Sequence, residues 1–223
     1  MTSKPQSQPS LTGLYAITPD WSDTRRLLNV TEAILSAGCR VLQYRNKQTS
    51  DCHRQEQAVA LRGLTRKYAA CLIINDDVDL ALFSEADGVH LGEDDGQLAV
   101  ARGRLNEATP GMILGASCYQ SLPLALAAAR AGADYLAFGS FFASPTKPQA
   151  KRADPALIAA AKRETGLPIC AIGGITLDNA GGLIAAGADL LAVISALYDA
   201  PDPHPAALKF SQLFTESQDK EPA

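Results

Sequence analysis

No stretch of this 223-residue chain approaches the roughly 18 consecutive apolar residues that a membrane span needs, so none is expected. Charge of neither sign dominates. Twenty Lys and Arg stand against 24 Asp and Glu, a net charge of −4. Such a balance removes any global attraction to nucleic acid or an anionic membrane, and an anionic small molecule has to be held by locally placed cations. The five cysteines (Cys39, Cys52, Cys71, Cys118 and Cys170) are an odd number with no CxxC spacing. All but Cys52 lie in or beside strand-like apolar runs, where cysteine acts as a small core hydrophobe. A disulfide framework is not expected, and a reducing cytoplasm fits. Residues 1–12 are rich in Ser, Gln and Pro and lack the apolar core of a signal peptide, which predicts a loose N-terminal extension. Nor does the sequence offer an evident general-base pair or nucleophile triad. Of its histidines, His90 is expected to be a satisfied strand residue, and His53 and His204 to be exposed.

What the chain does have is alternation. It is 47% hydrophobic and 20% charged, ordinary for a soluble globular protein. Short apolar runs predict strands at 13–18, 39–45, 70–75, 88–91, 112–117, 135–140, 168–173 and 189–194. Amphipathic patterns between them predict helices near 22–37, 52–69, 77–86, 95–105, 121–132, 154–166 and 176–187, with a last one near 203–216. Ala37-Gly38, Ala131-Gly132-Ala133-Asp134 and Ala186-Gly187-Ala188-Asp189 suit helices that end in a left-handed glycine and feed directly into a strand. Plausible N-caps are Ser22, Asp51, Ser121, Asp154 and Thr176. Eight strands each followed by a helix indicate an α/β fold of the (β/α)8 or TIM-barrel type, one domain over 13–216 with a flexible tail at 217–223. A doubly wound open sheet is the alternative. The one long irregular stretch, Ser140 to Ala153, has the length of a lid or binding loop.

Polar residues collect just after the apolar runs, and in parallel α/β folds that rim binds ligands. Gln43, Arg45 and Lys47 alternate, so a strand points all three toward the barrel's upper interior. A buried group with two cations needs anions to neutralise it. Asp76 and Asp95 follow the third and fourth strands. Each alone reads as a helix cap, while the pair, with cations on the same rim, suits Mg²⁺, which takes one or two carboxylates and completes its shell with water and phosphate oxygens. Asp77, Asp79, Asp87 and Asp94 read as helix-start or surface charges. The seventh strand ends in Gly173-Gly174 and the eighth in Val193-Ile194-Ser195 before a short helical pattern. Together they favour a phosphate cradle over two unrelated tight turns. Lys147, beside Ser144 and Thr146, suits an oxyanion better than a Schiff base, and Lys151 and Arg152 read as solvated charges.

These segments resemble the thiamine-phosphate synthase family. The matching stretches are Gly13 to Thr18, Gln43-Tyr44-Arg45-Asn46-Lys47, Ile74 to Asp77, Asp87 to Asp95, Gly115-Ala116-Ser117, Phe141 to Lys147, Ile172 to Ile175 and Val193-Ile194-Ser195, in order over about 13–198. The resemblance implies a (β/α)8 barrel joining hydroxymethylpyrimidine diphosphate to thiazole phosphate, with thiamine phosphate and pyrophosphate as products. It implies that Gln43, Tyr44, Arg45, Asn46, Lys47, Asn75, Ser117 and Lys147 hold the pyrimidine diphosphate and that Asp76 and Asp95 ligate Mg²⁺. Ser144, Pro145, Thr146, Gly174, Ile194 and Ser195 would hold the thiazole phosphate. Arg45, Lys47, Lys147 and Ser117 would form the catalytic group around a departing pyrophosphate. One departure is visible. The family's long loop commonly carries Gly-Pro and then Pro-Thr-x-Thr-Lys, whereas here Ser140 and Ala143 replace the prolines and Ser144 the first threonine. The hydroxyl is kept and the stiffness of proline is not. Rival readings are a phosphosugar epimerase or isomerase barrel, a thiazole-tautomerase barrel, or a synthase-like binding or regulatory barrel. Expected partners are small molecules, with neither nucleic acid nor membrane, and a homo-oligomer is compatible with the sequence.

Overall fold

The computed structural model describes residues 11–92, 97–143 and 151–218. Among them the chain forms eight parallel strands: β1 (Gly13–Ile17), β2 (Val41–Tyr44), β3 (Cys71–Asn75), β4 (Gly88–Leu91), β5 (Ile113–Tyr119), β6 (Tyr135–Phe138), β7 (Ile169–Ile172) and β8 (Leu190–Val193). They pair in sequence order and close on themselves, Tyr15 of β1 standing opposite Val41 of β2 on one side and Ala192 of β8 on the other. The strand-order reversal that an open doubly wound sheet needs does not occur. Helices follow each strand: α1 (Thr24–Ser36), α2 (Asp51–Lys67), α3 (Val78–Phe83), α4 (Leu98–Ala108), α5 (Leu122–Arg130), α6 (Ala156–Thr165), α7 (Leu177–Ala185) and a short α8 (Ser195–Tyr198), with α9 (Pro203–Gln218) last.

Strand alternation sorts the core into two compartments. Tyr15, Ile17, Val41, Cys71, Ile73, Ile113, Tyr135, Cys170 and Leu190 fill the barrel's interior. Their neighbours Leu14, Ala16, Leu42, Leu72, Ile74, Leu114, Leu136 and Leu191 face the helices. Leu11 packs on the inner cluster just before β1. The helix ends follow the glycine rule, with Gly38, Gly132 and Gly187 all at positive φ immediately beyond Ala37, Ala131 and Ala186. Three of the five expected N-caps shift by one residue. Asp23 rather than Ser22 caps α1, and Ser50 rather than Asp51 caps α2, because in each case the neighbour's side chain reaches the third amide of the first turn. Asp154 accepts from the Ala156 amide while Pro155 takes the cap position of α6. Ser121 and Thr176 cap α5 and α7.

At the N-terminal end of the barrel one device recurs. Asp87, Asp134 and Asp189 each stand one residue before β4, β6 or β8. Each accepts a hydrogen bond from a backbone amide near the start of the preceding strand: Leu72 at 2.7 Å, Leu114 at 2.7 Å and Ile169 at 2.8 Å. Each is also paired with a cation from the helix that leads into that preceding strand, Arg62 of α2, Arg102 of α4 or Lys162 of α6. Asp87, expected to be a helix-start or surface charge, is instead part of this clamp. The opposite end of the barrel is thereby left to the residues that carry chemistry.

Candidate active site

A cavity of about 950 Å³ opens at the C-terminal ends of the strands, and every strand contributes to its wall. Its cationic side is built on the turn after β2. β2 ends at Tyr44, so Arg45 and Lys47 leave the rim rather than the strand proper, yet both line the cavity with Gln43. Thr18 fixes this turn by accepting from the Arg45 amide at 2.8 Å and donating to the Arg45 carbonyl at 2.9 Å. Asp20 then binds the Arg45 guanidinium at 2.8 Å and the Lys47 amide at 2.7 Å. Lys47 Nζ lies 2.7 Å from the Asp76 carboxylate. Asp76 has φ 65°, a left-handed conformation that Asp tolerates better than most residues. The cap of α3 is taken by Asp77, whose side chain accepts from the Leu80 amide at 2.9 Å. Asp76 is therefore the cavity's carboxylate and Asp77 the helix's. No three metal-ligating side chains cluster among the described residues.

Below the rim a line of polar groups crosses the barrel's interior. Gln43 Nε2 donates to the Tyr15 hydroxyl at 2.8 Å, and that hydroxyl is 2.8 Å from Tyr135. Tyr135 reaches His90 Nδ1 at 2.9 Å, and His90 Nε2 lies 2.9 Å from Ser117 Oγ. Burial pushes both phenols well above their ordinary range. Burial also pulls His90 down to about 4, against the opposing attraction of Asp76, so the ring is neutral at physiological pH. His90 is thus a satisfied strand histidine, as expected, and also part of the cavity wall.

The far side of the cavity is backbone. Gly173 and Gly174 both have positive φ, and a Cβ at Gly174 would collide with the Ala143 carbonyl oxygen. Amides of Phe141 and Phe142 bond to the carbonyls of Ile172 and Gly173, and Ala153 N bonds to Ser140 O, which ties both described ends of the long loop to this corner. Ile194 and Ser195, at the start of α8, complete the wall.

The structure brings Gln43, Arg45, Lys47, Asn75, Asp76, Ser117, Gly174, Ile194 and Ser195 to one cavity. It does not bring Tyr44 and Asn46 there. The Tyr44 hydroxyl donates to Gln57 Oε1 at 2.8 Å, and the Asn46 amide binds Gln57 and the Trp21 carbonyl. The period that aims Gln43, Arg45 and Lys47 inward turns these two outward toward α2. Asp95, Ser144, Pro145, Thr146 and Lys147 lie outside the described residues. Sequence reasoning missed Asp20, Tyr15 and Tyr135 as parts of the site. For Tyr15 and Tyr135 the available signal was a phenol on the inward face of a strand, where an apolar residue is the norm. Lys151, read as solvated, also lines the cavity.

A closed parallel barrel with its polar wall at the C-terminal ends of the strands defines a (β/α)8-barrel enzyme. A family model described as thiamine monophosphate synthase matches residues 14–197, and the chain belongs to that family. It is 58% identical over 208 residues to the thiamine-phosphate synthase of Methylobacillus flagellatus, covering 93% of this chain and 98% of the relative. With that of Thiobacillus denitrificans it shares 54% over 202 residues, covering 91% and 94%. A solved thiamine phosphate pyrophosphorylase from Pyrococcus furiosus superposes with a TM-score of 0.81 at 36% identity, over 93% of this chain and 97% of that one.

Proposed function

We propose that the cavity condenses 4-amino-2-methyl-5-(diphosphooxymethyl)pyrimidine with 4-methyl-5-(2-phosphooxyethyl)thiazole, giving thiamine phosphate and pyrophosphate. The observation that carries this reading is the division of one rim into two anion-suited zones. Arg45 and Lys47 hold one side and the Gly173-Gly174 and Ser195 corner the other. One phosphorylated substrate would leave one of the zones without use. Family membership supports the same reaction.

In the proposed step the bond between the pyrimidine methylene and the diphosphate oxygen breaks, and its electron pair leaves with pyrophosphate. The thiazole nitrogen then gives its lone pair to the methylene carbon and becomes the charged nitrogen of the product. Little covalent chemistry falls to the protein, which positions two ligands and stabilises charge as it grows. Arg45 and Lys47, with Lys147 from the loop, would face the leaving group. Ser117 would contact the same substrate from the barrel floor. Tied on both sides by Asp20, the Arg45–Lys47 turn is held in place before any ligand arrives.

Mg²⁺ fits this rim. Asp76 offers a hard oxygen donor on the cavity wall, and with Asp95 it would form the carboxylate pair that this ion accepts beside water and phosphate oxygens. When bound, the ion would add positive charge against the diphosphate. We place the reaction in the cytoplasm, in keeping with thiols that the sequence leaves unpaired. The test is pyrophosphate release on mixing both substrates, with and without EDTA. Release requiring both substrates and lost on chelation is expected. No release from the mixture overturns the reaction, and release indifferent to EDTA overturns the metal.

A further inference from the structure

The line of side chains from Gln43 to Ser117 joins five strands, and its polarity follows from counting hydrogens. Gln43 Nε2 can only donate, so the Tyr15 oxygen accepts and its own hydrogen turns to Tyr135. Having accepted there, Tyr135 gives its single hydrogen to His90 Nδ1. A ring nitrogen that accepts bears no proton, so the proton of the neutral imidazole sits on Nε2 and is donated to Ser117 Oγ. The Ser117 hydroxyl then keeps its own hydrogen for the cavity that it lines. Running the line the other way brings two hydrogens to the Tyr15 oxygen and leaves its own as an orphan donor in a fully buried place, an arrangement that folded proteins avoid.

We propose that Tyr15 and Tyr135 are positioning residues that hold His90 as its Nε2–H tautomer and so free the Ser117 hydrogen for donation to the bound substrate. A Ser117 hydroxyl whose hydrogen is free can meet a lone pair on the ligand at that point, a phosphate oxygen or a ring nitrogen, which the reverse tautomer would not allow because Ser117 would then spend its hydrogen on His90. Only this catalytic consequence rests on the reading of Ser117 as a substrate contact. The tautomer itself is a property of the free protein.

The test uses enzyme labelled with ¹⁵N-histidine at neutral pH. His53 and His204 are assigned by their replacement with Gln, and the two nitrogens of His90 are read from long-range proton–nitrogen spectra. A pyridine-like Nδ1 and a pyrrole-like Nε2 are expected in the wild type. Tyr135→Phe should turn this into a mixture of tautomers and lower kcat by about 10- to 100-fold with KM little changed, the range seen when outer partners that orient a histidine are removed. Tyr15→Phe, one link further away, should lower kcat in the same direction by less. A purely structural role would reduce thermal stability in these variants while leaving both the tautomer and kcat as they were, and that result overturns the proposal. A wild-type spectrum showing Nδ1–H or imidazolium overturns it equally, whether or not Tyr135→Phe folds. Failure to release pyrophosphate would instead sink the assigned reaction, because the spectrum is taken without substrate.

Discussion

Lys47 pairs with Asp76 while more than half exposed, and an ion pair of that kind contributes at most about 1 kcal/mol to folding. Charge placed against a leaving group is worth far more. Lys47→Ala should therefore leave the unfolding free energy within about 1 kcal/mol of wild type and lower kcat on the order of 10²-fold, measured by denaturant melts beside pyrophosphate release. His90 behaves oppositely, because its effect is on stability. The unfolded chain takes up a proton near the ordinary value of 6.5, whereas the buried ring resists until about 4. Across that window the unfolded state binds more protons, so the contribution is complete above 6.5 and lost on acidification. Wild type should lose about 3 kcal/mol more between those pH values than His90→Gln, read from urea melts at stepped pH. Much of this scale was legible in the chain. Period-two spacing placed Gln43, Arg45 and Lys47 on one side, and order along the chain put Asp76 beside them. Asp20 was not legible, since its partners lie 25 and 27 residues away and nothing local marks an aspartate that will brace a distant turn.

Elements show the same division between local and distant causes. Glycines closing α1, α5 and α7 were readable because a left-handed residue there is a local requirement. The Ala-Gly-Ala-Asp repeats were read for their glycines alone, and the aspartates gave no sign of a cross-strand amide some twenty residues back. Removing the Asp134 side chain leaves the Leu114 amide and the Arg102 guanidinium without it, at a cost of about 2–3 kcal/mol. Asp134→Ala should accordingly melt early yet keep near-normal turnover at temperatures where it is folded, since the clamp sits at the end of the barrel away from the cavity. Gly174→Ala should harm both properties. Its φ of 62° and the clash with the Ala143 carbonyl predict a loss of about 1–3 kcal/mol and a raised KM for the thiazole phosphate, with KM for the pyrimidine diphosphate little altered. Equal effects on both KM values would contradict the assignment of that corner.

For the molecule as a whole, eight strand–helix pairs implied a ring, but closure depends on β1 meeting β8, a contact between the two ends of the pattern that local periodicity cannot encode. The cysteines report on the integrity of that ring. Cys39, Cys71, Cys118 and Cys170 are buried and Cys52 is exposed. Burial raises the Cys39 thiol to about 11 and the Cys118 thiol to about 12, so thiolate is scarce as well as inaccessible. A thiol reagent should titrate one group rapidly in the native protein and all five in denaturant, and a second fast thiol would mean that the barrel opens. The polar line inside the ring has an evolutionary corollary. Each member, changed alone, leaves a neighbour's hydrogen bond unmade, whereas Tyr15→Phe with Tyr135→Phe removes donor and acceptor together and should cost less than the two single changes summed. Drift at these five positions is thus epistatic. A lineage can exchange them as a set, and scanning them one by one will overstate how indispensable each is.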